Sequence, residues 1–421
     1  MTCPEGIGRL LRGLRQAAGR TRQEQAELLE RAGGRWVDPE NIKRWETERR
    51  LPIPAWHALI AEGYGLTVED VRRAVTASRR YRRSTSASVL LNDHQEEASD
   101  VERREFLGVS ILASGAALEP WGRLAAAVTG PRVDAETTDR IVRTTAEMFI
   151  GGRNLPVRLL GERVTGHLET LTALLPRAGE HRKALLVAAG ESAALAGWAA
   201  FDTGDTKSAQ HYYRTAMLAG REAGHPPVVA LTMGYASYAV DGGKAREMLV
   251  TAQGHVRGAG YATARAWLAG REAEEAAALG DREGALRSVE RAMTAFDYAD
   301  PDAEQAWVHF CQRPRLDSLV VSTYARLRHP ALEQAAQDSL DHLGDDRSMT
   351  SIAVLSDAAN GYLVSGNVEQ GVELGHRFVD ATTARPSTPG RKRLRSLAEL
   401  LPPQHNGARE LRENIRTALA A

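Results

Sequence analysis

From about residue 135 to the end the chain repeats itself, and a repeat of this kind admits few folds. Gly204, Gly242 and Gly280 stand 38 residues apart, and Gly366 follows 86 residues later, two slightly longer units. Each sits in a turn that ends a helix: Gly204-Asp205, Asp241-Gly242-Gly243, Gly280-Asp281 and Gly366-Asn367. The flanks are rich in Ala, Leu, Arg and Glu, as in AALAGWAAFDTGDTKSAQHYYRTAMLAG, REAEEAAALGDREGALRSVERAMTAF and DAANGYLVSGNVEQGVELGHRFV. A hairpin of two helices cannot bury its own apolar face, so such units stack on their neighbours. Small residues such as Ala193, Ala196, Gly197 and Ala277 allow the close helix approach this requires. The pattern predicts an all-α chain whose residues 135–421 form a solenoid of stacked hairpins.

The units resemble degenerate tetratricopeptide-like repeats over about residues 140 to 415. That resemblance implies a superhelix with a concave surface that takes a peptide, a protein or a small molecule, and a body suited to making a homodimer. Trp198, Tyr212, Tyr213, Tyr235, Tyr238, Trp267, Trp307, His309, Phe310 and Tyr362 could line such a surface. The ordinary role of an aromatic at helical spacing is packing. Tyr235, Tyr238 and Trp267 are the candidate effector contacts, with Arg313 as an anion contact where Arg313-Pro314-Arg315 breaks the pattern.

The amino-terminal segment is of another kind. Residues 7 to 18, IGRLLRGLRQAA, make an amphipathic helix with Leu10, Leu11, Leu14 and Ala18 on one side. A second helix opens on a capping box, Thr21 with Glu24. A third opens on Asp38 as cap with Pro39 at its first position, where the missing N–H is harmless. Ala26, Leu28 and Leu29 can pack on Ile42 and Trp45, leaving Asn41, Lys43 and Arg44 on the outer face of the third. AWHALIAEGYG gives a fourth helix closed by glycine, and the Thr67–Asp70 capping box begins a fifth over VRRAV.

Residues 6 to 75 resemble the Cro/C1-type (XRE-like) helix-turn-helix family. The resemblance rests on the arginine-studded first helix, Gln23-Glu24 with Ala26 and Leu28, Asn41-Ile42 with Trp45-Glu46, and Arg50-Leu51-Pro52. The connection Glu30–Trp36 is longer than that family's usual turn. The resemblance implies that the third helix enters the major groove of double-stranded DNA, as one of two heads on a palindromic operator. Gln23 would then touch a phosphate, and Glu40, Asn41, Lys43 and Arg44 would face the groove. Arg44 suits guanine and Asn41 suits adenine. Glu40 could accept from a cytosine amine, or serve only as a cap. Arg35, Arg49 and Arg50 suit phosphates, which position without specifying. Coupled to a repeat body, such a head resembles regulators common in actinomycete bacteria, and a chain rich in Ala and Arg and poor in Lys fits that group.

Charge supports the division. The chain carries 54 basic and 54 acidic side chains, yet residues 1 to 83 hold 17 against 11, leaving 37 against 43 for the remainder. A local basic surplus is what phosphate neutralisation needs. Residues 79 to 83, RRYRR, could follow a DNA backbone or simply belong to a soluble linker. The expected organisation is a head over 1–77, a polar linker over 78–102, a connecting helical region over 103–134, and the repeats. Arg103-Arg104-Glu105-Phe106-Leu107 imitates an export signal, but it follows a globular domain, and its apolar run is too short to span a bilayer. Leu107, Ile111, Leu112 and Trp121 are expected on a buried helix.

Motifs for chemistry are missing from the sequence. Cys3 and Cys311 share no metal-ligand spacing, and so low a cysteine count suits a reducing cytoplasm. The twelve histidines form no HExxH pair, and neither a GxSxG elbow nor a GK[ST] loop occurs. Gly6-Ile-Gly8 and Gly258-Ala-Gly260 are too short for a nucleotide loop. The expectation is a cytoplasmic, non-enzymatic DNA-binding regulator without cofactor, metal or membrane. The other reading is an interaction scaffold whose helix-turn-helix meets a protein.

Overall fold

The computed structural model describes residues 3–33, 37–93, 133–152, 154–258, 260–344 and 349–420, with only the backbone given for 33, 82–93 and 349. Every element among them is helical. The head comprises α1 (Ile7–Ala17), α2 (Arg22–Gly33), α3 (Pro39–Glu46), α4 (Pro54–Tyr64) and α5 (Val68–Asp93). Their apolar faces meet in one core of Ile7, Leu11, Ala26, Leu29, Ile42, Trp45, Trp56, Ile60 and Val71. Both expected capping boxes form: Thr21 and Glu24 exchange bonds of 2.7 and 3.2 Å, and Thr67 and Asp70 two of 3.1 Å. Gly65 ends α4 in the left-handed region.

One helix is much longer than expected. α5 crosses residue 77 and continues to Asp93, so most of the expected linker is helical. A helix nucleated by its capping box propagates without needing an apolar stripe, which is the signal the linker lacks. The residues expected on a connecting buried helix, Leu107 to Trp121, lie outside the described residues.

The array is a series of antiparallel hairpins: α6 (Ala135–Gly152) with α7 (Val157–Leu174), α8 (Arg182–Asp202) with α9 (Thr206–Glu222), and α10 (Pro226–Ala236) with α11 (Gly242–Gln253). There follow α12 (Ala262–Ala278) with α13 (Arg282–Phe296), α14 (Arg313–Leu327) with α15 (Leu332–Leu343), α16 (Met349–Ser365) with α17 (Val368–Ala384), and α18 (Thr388–Leu400) with α19 (Asn406–Ala420). One device closes three of them. Gly204, Gly280 and Gly366 take φ of +88°, +78° and +94°. The next residue then caps the following helix: Asp205 accepts from Ser208, Asp281 from Gly284 and Asn367 from Gln370. The amides of those capping residues reach back to Ala200, Ala276 and Tyr362 at 2.8–2.9 Å, satisfying carbonyls the first helix would otherwise leave open. The α10–α11 turn differs, since Gly242 and Gly243 begin α11 behind the Asp241 cap.

The 86-residue gap resolves at Arg328, which takes the left-handed turn at φ +45° without being glycine. Gly280 to Arg328 is a long unit because residues 297–312 form an inserted loop, whereas Arg328 to Gly366 is regular. Trp307 and Val308 of this loop join Phe149 of α6, Trp267 of α12 and Leu319 of α14 in one apolar cluster. Thr388, opening α18, lies against Gly204 at the end of α8, so the last hairpin meets the second. By length and composition, the stretch Gly179–Asp202 could cross a membrane; 61% of its most apolar window is buried inside the array.

Candidate nucleic-acid interface

α3 is held from one side. Ile42 and Trp45 are fully buried, with the Trp45 ring 5.4 Å from Trp56, so Glu40, Asn41, Lys43 and Arg44 fall on the outer face. Asp38 accepts from the Glu40 amide at 2.9 Å and fixes where the helix begins. Lys43 pairs with Glu40 at 3.1 Å, and Arg44 reaches the Asn41 carboxamide at 3.4 Å. Gln23 is exposed near the amino end of α2 and bonds Glu27, while Arg49 is exposed beyond α3. Arg35 lies outside the described residues.

Two carboxylates that the sequence reading did not single out set the frame. Glu46 has a fully buried side chain bridged by Arg15 of α1 and Arg22 of α2, the latter at 2.8 Å. Burial works to raise its pKa, but hydrogen bonds from Arg15 and Arg22 outweigh that and hold it below the usual carboxylate range. Glu48, at φ +52°, accepts from the amides of Cys3 and Gly8 and from the Ser78 hydroxyl, tying the start of α1 to α5. Gly8 permits this approach, because a Cβ there would lie 2.8 Å from the Glu46 carbonyl oxygen. Gly6-Ile-Gly8 is therefore a packing site. Glu46 continues the i, i+3, i+4 stripe of Ile42 and Trp45, so a charged residue at a core position was its signal.

The head is docked on the array. Its apolar core runs continuously into that of Phe296, Val320 and Tyr324. Around this contact Arg50 pairs with Glu290 at 2.7 Å, Arg79 with Asp297 at 2.9 Å, and Arg72 approaches Asp338 at 4.0 Å. Arg79, the first residue of RRYRR, thus belongs to the seam in this arrangement. His57 is buried here against the Pro52 carbonyl; desolvation first, then the cations Arg79, Arg72 and Arg313, push its pKa down to about 4. The outer face of α3 is unevenly exposed as a result. Its amino end, Glu40 and Lys43, meets solvent, while Arg44 and Arg50 look across a cleft at the array.

The candidate effector residues separate. Tyr235 and Trp267 are core, 6% and 0% exposed, with Trp198 tilted against Tyr235 and Phe310 edge-on to Trp267. Tyr238 is half-buried; Arg315 bonds its hydroxyl at 3.0 Å and Arg271 lies 4.0 Å over its ring. From there a buried chain continues through Ser318 and Asp357 to Arg393. Arg313 is not part of it. Its guanidinium grips Asp317 at 2.8 and 2.9 Å, Asp317 also takes His342 at 2.7 Å, and this group faces the head. Proline at the start of α14 broke the pattern that drew attention to Arg313, but only to open a helix.

Among the described residues no group of three His, Cys, Asp or Glu side chains could hold a metal. Cys3 and Cys311 are buried thiols, and burial pushes Cys311 up to about 12. Compared with protein-family models and with curated proteins, the chain matches none.

Proposed function

We propose that this protein is a regulator that reads double-stranded DNA with α3, and that its helical array dimerises and takes an effector that alters DNA binding. One observation carries the reading: a braced helix turns Ile42 and Trp45 inward and Glu40, Asn41, Lys43 and Arg44 outward. That is the disposition a major groove accepts. The surplus of Arg on the head supports it, since affinity for duplex DNA depends on phosphate neutralisation. Catalysis, a cofactor and a membrane play no part in the proposal, and the cytoplasm is its setting.

In the docked arrangement Arg44 and Arg50 face the array, so reading requires the head to move off the seam. The effector region proposed is the half-buried Tyr238 with Arg271 and Arg315, in place of the enclosed Tyr235 and Trp267 and of Arg313, which Asp317 engages. A palindromic operator bound by a homodimer follows from the two-fold logic of such heads.

The purified chain, given genomic fragments for selection and then its selected duplex at several salt concentrations, tests the proposal. The expected result is a palindromic site and a steep linear fall of log K with log salt. A flat salt dependence with no selected site would end it. A second reading, a scaffold whose head binds protein, draws on Arg50 and Arg79 already being held by protein carboxylates. That reading expects no duplex preference.

A further inference from the structure

The carboxyl end of α3 looks into a cleft of about 520 Å³ between head and array. Arg44 and Arg50 form its head side, Arg246 comes from α11 and Glu272 from α12, and α13 supplies Arg287, Ser288, Glu290 and Arg291. Five guanidinium groups thus meet two carboxylates. Both carboxylates are engaged: Glu290 with Arg50 at 2.7 Å and Glu272 with Arg291 at 2.6 Å. Beside the cleft, Asp281 takes Arg246 at 2.6 Å and Glu283 takes Arg287.

Two of the five cations are weakly held. Arg44 has a neutral partner, the Asn41 carboxamide, at 3.4 Å. Arg287 is 60% exposed and Glu283 84%, and a pair so open to water contributes little. Arg44 lies on the head and Arg287 on the array, and both line the same space. A guanidinium fork matches a phosphoryl group two bonds at a time. A chain of two or three phosphoryl groups offers a separate partner to forks on each wall, where a single group offers only one. The volume lies within the range of roughly 300–1,000 Å³ usual for small-molecule sites. It is far too small for a duplex, whose major groove alone is about 12 Å wide.

We propose that this cleft binds a small oligophosphate, either inorganic or as the tail of a nucleoside di- or triphosphate, which bridges Arg44 and Arg50 of the head to Arg246 and Arg287 of the array. Binding of this ligand does not depend on the DNA reading. Its consequence does: the ligand and DNA would compete for Arg44 and Arg50, so each lowers the affinity for the other by the same factor.

The experiment is calorimetric titration and thermal melting of the whole 421-residue chain with sodium triphosphate, ATP, AMP and sulfate at constant ionic strength. Triphosphate and ATP are expected to bind and raise Tm, with AMP and sulfate at least tenfold weaker. ATP binding tighter than triphosphate identifies a nucleotide; equal affinity identifies the phosphate chain alone. Arg287→Ala should weaken triphosphate severalfold, and Arg246→Ala with Arg287→Ala tenfold or more. Glu290→Gln removes a competing carboxylate and should tighten it. Triphosphate behaving like sulfate, or binding unchanged in the double variant, overturns the site. In gel shifts with the selected duplex, triphosphate should weaken DNA binding in the wild type and not in the double variant. Triphosphate bound without that effect overturns the competition and leaves the site standing. A chain that binds no duplex at all sinks the DNA reading, while the titration still decides the site.

Discussion

Head and array are both helical, yet they are held together by different kinds of interaction. In the head, single-use contacts do most of the fixing: Glu46 between Arg15 and Arg22, and Glu48 between Cys3, Gly8 and Ser78. In the array one turn recurs, a left-handed glycine followed by an Asp or Asn cap, at Gly204, Gly280 and Gly366. A small domain has too few core residues to spread its stability, so a lost ion pair there matters more than a lost cap in a long array.

The largest expected effect tests the head. Glu46→Ala leaves the buried Arg15 without its carboxylate, and removing one partner of a buried pair costs about 3–5 kcal/mol. Urea unfolding followed by Trp45 and Trp56 fluorescence measures it. A loss below about 1 kcal/mol, the ordinary worth of an exposed pair, would erase the contrast.

Acidity should separate α4 of the head from α8 of the array by sign. His57 sits at about 4 in the fold against 6.5 in an open chain, so the unfolded head takes the proton first. The head therefore loses stability as pH falls from 6.5 toward 4, by about 1.4 kcal/mol for each unit of that interval. Burial raises Asp202 on α8 from 3.8 to about 7, so there the folded form keeps its proton longer. This group makes α8 lose stability as pH rises from 3.8 through about 7. Hydrogen exchange corrected for its intrinsic pH dependence should show α4 opening more easily at pH 5 than at 6.5, and α8 less easily. Parallel responses would mean the two regions open as one.

Within the proposed reading face, Arg44→Ala should relax sequence preference by roughly 1–3 kcal/mol, as expected for a base contact. Arg50→Ala should weaken all duplexes alike and lower the salt slope by about one, as expected for a phosphate contact. Competition binding to matched and scrambled duplexes distinguishes them. Equal losses of preference would put both residues in one role.

The smallest effects belong to the repeated turn. Gly280→Ala forces a side chain into the left-handed region and should cost about 1–2 kcal/mol. Arg328→Gly relieves the same strain at a hairpin turn that takes the left-handed conformation without glycine, and should stabilise by up to about 1 kcal/mol. Paired urea melts give both values. Like signs would show that the two turns are not equivalent.

What could be read from the sequence was what is encoded locally. The Thr21–Glu24 and Thr67–Asp70 boxes, the Asp38-Pro39 start and the Gly–Asx turns each lie within four residues, and each forms as expected. Arg328 escaped because its turn lacks the residue that usually signals one, so an inserted loop and a regular hairpin looked like two long units. Glu46 and Glu48 escaped because their partners lie up to 45 residues away. Charge was legible in amount but not in address. The basic surplus of the head includes Arg50, Arg72 and Arg79, which meet carboxylates of the acidic array in the docked form. Aromatic spacing did not distinguish Tyr238, left half-open, from Trp267, which the 297–312 loop helps enclose.

Thr388 against Gly204 turns the array into a clasp. An open stack of hairpins can gain or lose a member and merely change length, but here a hairpin added or deleted between the second and the last would pull the touching residues out of alignment. The contact thus ties the number of hairpins between Gly204 and Thr388 to the closure they make.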